Sequence, residues 1–139
     1  MILGEGESRS QLEKQINDLG LKDDVLLPGF VLNPLKYYKK CSVFVLSSLW
    51  EGLPSVILEA LACGCPVVST DCPSGPAEIL DNRKYGHLVP VGDSRALAEA
   101  VSKALDSPPD PALLVQRAKQ FSVENAISNY LSVLQNEDY

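Results

Sequence analysis

The 139 residues carry 12 Lys and Arg against 18 Asp and Glu, a formal net charge of -6, with 45% hydrophobic and 22% charged residues. That balance fits one domain of ordinary size with a real core. It argues against a nucleic-acid partner, because phosphate backbones are bound by basic patches. No apolar run reaches the ~20 residues of a membrane span, and the opening MILGEGESRS lacks the basic and long apolar stretches of a signal peptide. The expected location is cytoplasmic, with a peripheral place at the inner membrane surface as the variant.

The elements follow in chain order. Ile2 and Leu3 read as the tail of a strand entering the turn Gly4-Glu5-Gly6. Ser8 to Leu19 has Leu12, Ile16 and Leu19 at helical spacing, with Gly20 as its stop. Val25 to Leu27 is a short strand before Pro28-Gly29, and Pro34 to Lys40 a short helix. Lys36, Lys39 and Lys40 are read as its solvated face. Val43 to Leu46 and Pro66 to Thr70 are buried strands that flank a helix from Pro54 to Cys63. A short helix starts at Gly75 and runs to Leu80, followed by a strand from His87 to Val91. Ser94 to Leu105 is a helix with Leu97, Ala98, Val101 and Leu105 inward. Pro111 to Phe121 and Val123 to Gln135 close the chain as helices.

Strands that alternate with helices predict an α/β fold, a Rossmann-like parallel sheet with helices on both faces. No linker divides the chain, so residues 1–139 are read as a single, partial domain. In such sheets the ligand crevice lies beyond the carboxyl ends of the strands. The loops Gly4 to Gly6, Gly29 to Val31, Ser47 to Pro54 and Asp71 to Pro76 are therefore expected around one crevice. Cys41, Cys63, Cys65 and Cys72 form neither a CxxC pair nor a zinc spacing. They are read as small core residues, and no metal site is expected. His87, the only histidine, is read as structural.

Ser47 to Cys63 carries the most information. Pro54 suits the first position of a helix, where no backbone donor is lost. Ser55 and Val56 would then present free amides and the positive end of the helix dipole to an anion. Gly52 permits close approach of a ligand to the backbone. The helix is apolar on every side, the pattern of a buried helix. Glu59 is the only charge between residues 52 and 70, and no Lys, Arg or His occurs from Cys41 to Asn82. A buried carboxylate needs a partner, and a vicinal diol such as that of ribose would supply two hydrogen bonds. A salt bridge to distant Arg83, or a surface position, is the alternative. Glu51, one residue before Gly52, either contacts sugar hydroxyls or is an ordinary loop acid. Trp50 is read as a core or rim aromatic. Glu78, in the first turn after Gly75, is read as complementing a helix dipole.

The pair Glu51 and Glu59, inside EGLPSVILEALACGCPVVST, resembles the E-x7-E element of glycosyltransferase family 4 and its GT-B-fold relatives. The flanks agree. Gly4-Glu5-Gly6 with Arg9 resembles the family's GxGP turn, and Leu27 to Val31 its GF/GxV loop. Cys41 to Leu46 resembles its "ADVFVLPS" strand. PSGPAEIL, from Pro73 to Leu80, resembles its glycine-rich loop, here with Ser74 and Pro76 as a variant. Tyr85 to Asp93 resembles its "NGLLVPPGD", and Leu97 to Leu105 its "ALAEAI" helix. Gly4-x-Gly6 lacks the third glycine, which stands as Arg9, so the dinucleotide-binding fingerprint fails.

The resemblance implies the C-terminal half of a GT-B glycosyltransferase that transfers a sugar from a nucleotide-sugar donor to an acceptor hydroxyl with retention. Glu51 would contact the donor sugar and carry any catalytic role. Gly52, Leu53, Pro54, Ser55, Val56 and Glu59 would bind the donor, with Glu59 on the ribose hydroxyls. Gly29, Phe30 and Val31 would line the base, and Gly4, Gly6, Ser74 and Gly75 the crevice. No cofactor is expected, and a UDP-sugar fits the loop variant better than a GDP-sugar. The family's "GR…KG" cations and its N-terminal acceptor domain would lie upstream of Met1. The expected partners are therefore the donor, that acceptor domain or a partner chain, and a second copy covering an exposed sheet edge. The isolated chain is expected to bind donor without completing transfer. The alternative is a non-catalytic nucleotide-binding or protein-interaction module of the same fold.

Overall fold

The structure, a computed structural model, describes residues 1–135. It divides into two compact units, Met1–Pro34 and the unit that begins at Leu35. In the first unit, helix α1 (Arg9–Asp18) ends as Gly20 predicts. Gly20 has φ 70°, its amide donates to Asn17 O at 3.0 Å and that of Leu21 to Ile16 O at 2.9 Å, a Schellman closure. Leu12 and Ile16 are half-buried and Leu19 is exposed, so the apolar face is narrower than its spacing implies. Val25 to Leu27 forms no ladder strand. Instead, Leu3 pairs in parallel with Gly29 as an isolated bridge, and the Ile2 amide donates to Leu26 O at 2.9 Å. Arg9 sets this geometry by donating to Leu27 O at 3.0 Å while ion-paired to Glu5 and Glu13 at 2.7 and 2.9 Å.

The second unit is an α/β layer structure. Helix α2 (Leu35–Tyr38) leads to strand β1 (Phe44–Leu46), helix α3 (Ser55–Ala62) and strand β2 (Val67–Thr70). Helix α4 (Pro76–Ile79), strand β3 (His87–Val89) and helices α5 (Ser94–Asp106), α6 (Pro111–Lys119) and α7 (Val123–Gln135) complete it. The three strands are parallel in the order β1-β2-β3, with Phe44 opposite Val67 and Ser69 opposite Leu88. Alternate residues of β2 serve two cores. Val67 joins Ile57, Leu61, Ile79, Leu80, Leu88 and Leu114 beneath α3 and α6. Val68 joins Val89, Ala100 and Ala104 beneath α5. Helices thus cover both faces, as strand–helix alternation requires.

Three expectations change. Strand β1 is an edge of the sheet, and Val45 is 40% exposed where a buried strand was expected. Helix α3 buries only Ile57, Ala60 and Leu61. Its remaining residues are half-buried or exposed, so an all-round apolar sequence here does not mean an all-round buried helix. Helix α5 keeps Leu97 and Val101 inward as expected, but not Ala98 or Leu105. Ala100 and Ala104 are buried with Ala96, Leu97 and Val101 packed beside them, while Ala98 and Leu105 point outward. Small alanines let α5 lie close to β2 and β3, an advantage that a periodicity weighted by side-chain size misses.

Caps follow the sequence. Asp93 accepts from the Ala96 amide at 2.9 Å at the start of α5, and Asp110 from the Ala112 amide at 2.9 Å at the start of α6. Both satisfy donors that the first turn leaves open. Arg117 of α6 closes the other end of α4. It donates to Ile79 O at 2.8 Å and Glu78 O at 2.6 Å while its guanidinium lies over Tyr85 and Phe121. The outward turn of Leu105 gives a test by chemical denaturation. Leu105→Ala should change stability by no more than about 0.5 kcal/mol, whereas Ala104→Leu, which overpacks a fully buried site, should cost about 1–3 kcal/mol.

Candidate functional site

Parallel pairing puts the carboxyl ends of β1, β2 and β3 at one end of the sheet. The loops 47–54 and 71–76 leave from that end, as expected. They meet at Gly75. This residue has φ 95°, and a Cβ there would collide with the Pro54 ring and lie 3.0 Å from Gly52 O. Its neighbour Ser74 also has a positive φ, 65°, and is exposed. Glycine is required at 75 for two reasons, the left-handed backbone and the close approach of the neighbouring loop.

The start of α3 differs from expectation in one respect. Pro54 is the N-cap, with φ -74° and ψ 81°, not the first helical residue. The Ser55 amide donates to Leu53 O at 2.8 Å, a three-residue turn. The Ile57 amide donates to Pro54 O at 2.9 Å. Of the two amides expected to be open, Ser55 is therefore occupied internally, and Val56 has no backbone partner among the described residues. Leu53 is 61% exposed, and the space beside Gly52 is open.

Glu51 is half-buried and held. The Ser48 hydroxyl donates to its Oε1 at 2.6 Å. The Thr70 hydroxyl, at the buried end of β2, donates to Ser48 O at 2.6 Å. A chain of hydrogen bonds thus runs from the central strand through Ser48 to the Glu51 carboxylate. Neither Ser48 nor Thr70 stands out in the sequence. The one available signal was a serine three residues before the acid, at the same loop's start. Trp50, read as a core or rim aromatic, is 77% exposed and is not part of the core.

Glu59 stands in the second turn of α3, half-buried rather than enclosed. It forms no ion pair among the described residues, so the alternative of a bridge to Arg83 fails. Its neighbour is Tyr38, buried at the end of α2 against the edge of the Phe44 ring. Burial raises the Tyr38 pKa, and the Glu59 charge raises it further. Nothing in the spacing marks Tyr38, because α2 and α3 meet only through the fold. Glu78 lies in the first turn of α4 behind Gly75, where it complements the dipole as expected.

The first unit holds its own share of the expected site residues. The Gly4 amide donates to Gly29 O at 2.9 Å. Gly29 is buried with φ 82°, and a Cβ there would strike the Glu5 carboxylate. Gly4 and Gly29 are thus adjacent, with Gly6 one turn on, where its carbonyl accepts from the Arg9 amide at 3.1 Å. Phe30 is 73% exposed and Val31 half-buried. Of the cysteines, only Cys65 and Cys72 are core residues, while Cys41 is exposed and Cys63 half-buried. No group of three or more His, Cys, Asp or Glu among the described residues has metal-site geometry. No helix among them is long and apolar enough to cross a membrane.

Two measurements check this geometry. Gly75→Ala should destabilise more than Gly92→Ala in urea denaturation, by about 1–3 kcal/mol. Both positions have positive φ, but only Gly75 faces another loop. The raised Tyr38 pKa means that Tyr38 contributes stability in full below the ordinary tyrosine value of about 10. That contribution is lost as pH rises through the higher folded value. Glu59→Gln should lower the pH at which the Tyr38 tyrosinate absorbance appears, with Tyr38→Phe identifying the step among the five tyrosines.

Known proteins resemble this chain in sequence and in fold. The chain is 40% identical over 106 residues to an N-acetylgalactosaminyltransferase of Campylobacter jejuni that acts on a diphospho-undecaprenol-linked sugar, covering 76% of this chain and 29% of that protein. It is 34% identical over 138 residues to the lipopolysaccharide core biosynthesis glycosyltransferase LpsE of Rhizobium meliloti, covering 96% and 40%. The structure superposes on Anabaena HepE in complex with UDP with a TM-score of 0.76 at 28% identity, covering 89% of this chain and 36% of that one. On the apo lipopolysaccharide galactosyltransferase WaaB the TM-score is 0.86 at 21% identity, covering 96% and 39%. The chain therefore spans less than half the length of the relatives it matches. The family model described as glycosyl transferases group 1 matches residues 1–121, and the chain belongs to that family, its described residues carrying part of the C-terminal domain of the GT-B fold.

Proposed function

We propose that this chain is the donor-binding part of a retaining glycosyltransferase that moves a hexose or N-acetylhexosamine from a UDP-sugar to an acceptor hydroxyl. The observation that carries the reading is the Glu51 carboxylate, held by Ser48 at the loop that Gly75 packs against. Glu59 follows in the second turn of α3, without an ion pair among the described residues. In this reading Glu51 accepts hydrogen bonds from donor-sugar hydroxyls. Glu59 accepts both ribose hydroxyls, which an ionised carboxylate with no protein cation is suited to do. The open Val56 amide and the α3 dipole meet diphosphate charge, and Gly52 leaves room for the sugar. Ser74 borders the crevice.

UDP is favoured because HepE and the pneumococcal O-GlcNAc transferase GtfA, both similar to this chain, are described in complex with UDP. The acceptor site then belongs to another domain or chain, as the partial coverage of its relatives allows. A second reading, a nucleotide-binding module without turnover, draws on the absence of any Lys or Arg from Cys41 to Asn82. Diphosphate departure needs positive charge, and this part of the site supplies only the helix terminus.

Calorimetric titration tests the assignment. UDP and UDP-N-acetylglucosamine should bind saturably and more tightly than GDP-mannose. Glu59→Gln should weaken UDP binding about tenfold or more, the loss of a charge-assisted hydrogen bond worth ~1.5–3 kcal/mol. Glu51→Gln should weaken the UDP-sugar and leave UDP itself unchanged. Absence of saturable binding by any of the three nucleotides, or a Glu59→Gln titration identical to wild type, would remove the donor-site reading. Sugar transfer observed once an acceptor domain is supplied would exclude the module without turnover.

A further inference from the structure

The thiols of Cys41 and Cys65, 24 residues apart in sequence, lie 3.1 Å from each other. That is only about 1 Å beyond a disulfide's bond length of ~2.04 Å. They are unequal. Cys41 is exposed, in the segment between α2 and β1, with its amide donating to Tyr37 O at 2.8 Å. Cys65 is 2% exposed. It is fixed by the turn that ends α3, where Gly64 has φ 71° and the Cys65 amide donates to Ala60 O at 3.0 Å. Burial, then the hydrogen bond to Cys41, pushes the Cys65 pKa up to about 12. Cys63, on the same turn, is half-buried, and Cys72 is buried beyond β2.

We propose that Cys41 and Cys65 form a thiol–disulfide site, with Cys41 as the entry thiol and Cys65 as the resolving thiol, that takes a low-molecular-weight disulfide as its oxidant. The site lies apart from Glu51 and Gly75 in sequence and does not depend on the donor-binding reading. Exposure decides the order of events, because a dissolved disulfide reaches Cys41 and is shielded from Cys65. The Cys41 thiolate attacks one sulfur of the oxidant, forming a mixed disulfide and releasing one thiolate. Cys65 then gives its proton to the released thiolate, and its sulfur attacks Cys41 Sγ and expels the second thiolate, which takes up the proton that Cys41 lost on ionising. In total, two protein thiols lose two electrons and two protons, and one small disulfide becomes two small thiols. The product joins the segment after α2 to the turn after α3.

The test uses the whole chain with oxidised glutathione, followed by alkylation and mass spectrometry after combined trypsin and Glu-C digestion. No Lys or Arg lies between Cys41 and Asn82, so trypsin alone leaves all four cysteines on one peptide. Cleavage after Glu51 and Glu59 separates Cys41 from the others. Wild type should lose the mass of two hydrogens, with Cys41 and Cys65 linked and Cys63 and Cys72 alkylated. Cys65→Ser should stop at the mixed disulfide and retain one glutathionyl group on Cys41. Cys41→Ser should react at least tenfold more slowly. Cys63→Ser should form the same disulfide as wild type. Cys65→Ala replaces Cys65→Ser should the hydroxyl prove incompatible with folding. Four alkylated thiols after oxidation of the folded wild type would overturn the proposal, as would a Cys41–Cys63 link or an internal disulfide that survives in Cys65→Ser.

Discussion

Strand β2 is the constraint on which the rest of the second unit depends. All four of its residues are buried, and it pairs in parallel on both sides. Burial on both faces demands an apolar or internally satisfied strand, and Val67, Val68, Ser69 and Thr70 meet that demand in different ways. The valines face opposite cores. The Ser69 hydroxyl donates to Thr70 O at 2.9 Å. The Thr70 hydroxyl reaches across to the Ser48 carbonyl. A hydroxyl at the last position of a buried strand therefore does two things: it satisfies itself, and it fixes the first residues of the loop that leaves the neighbouring strand.

That loop is where packing becomes chemistry. Ser48, positioned from below through its carbonyl, uses its own hydroxyl to hold Glu51. Gly75 lets the second loop press against Pro54 and Gly52, which limits how far Glu51 and the start of α3 can drift. A carboxylate kept at a set position on a rigid support loses less entropy when a ligand arrives. Glu59 differs in kind. It is borne by the helix itself, with the buried Tyr38 beside it and no ion pair among the described residues. One acid is oriented by the protein, and the other is left electrostatically unanswered. These are suitable properties for groups that serve a ligand's hydroxyls.

The elements most legible in the sequence were those with a local cause. Gly20 and Gly64 end α1 and α3 through left-handed turns. Asp93 and Asp110 cap α5 and α6. Helix α7 was legible from residue to residue because its period is long and unbroken. The less legible features were all settled by neighbours. Val25 to Leu27 has strand composition, yet the parallel bridge forms at Gly29 instead. Val45 reads as buried, yet β1 is an edge. Leu105 reads as inward, yet the alanines of α5 take that place because small side chains allow a closer helix.

The sequence by itself determined that the strands are parallel and alternate with helices, that Glu51, Gly52 and Glu59 flank a helix start, and that this region contains no cation. Those properties follow from periodicity, turn chemistry and composition, which act over a few residues. Only the tertiary structure decided that Pro54 caps α3 and the Ser55 amide is spent on Leu53, that Ser48 and Thr70 support Glu51, and that Tyr38 lies by Glu59. It alone brought Cys41 to Cys65. The contacts of Thr70 with Ser48, Tyr38 with Glu59 and Cys41 with Cys65 join residues far apart in the chain, and no local preference encodes a meeting that depends on two elements being placed independently.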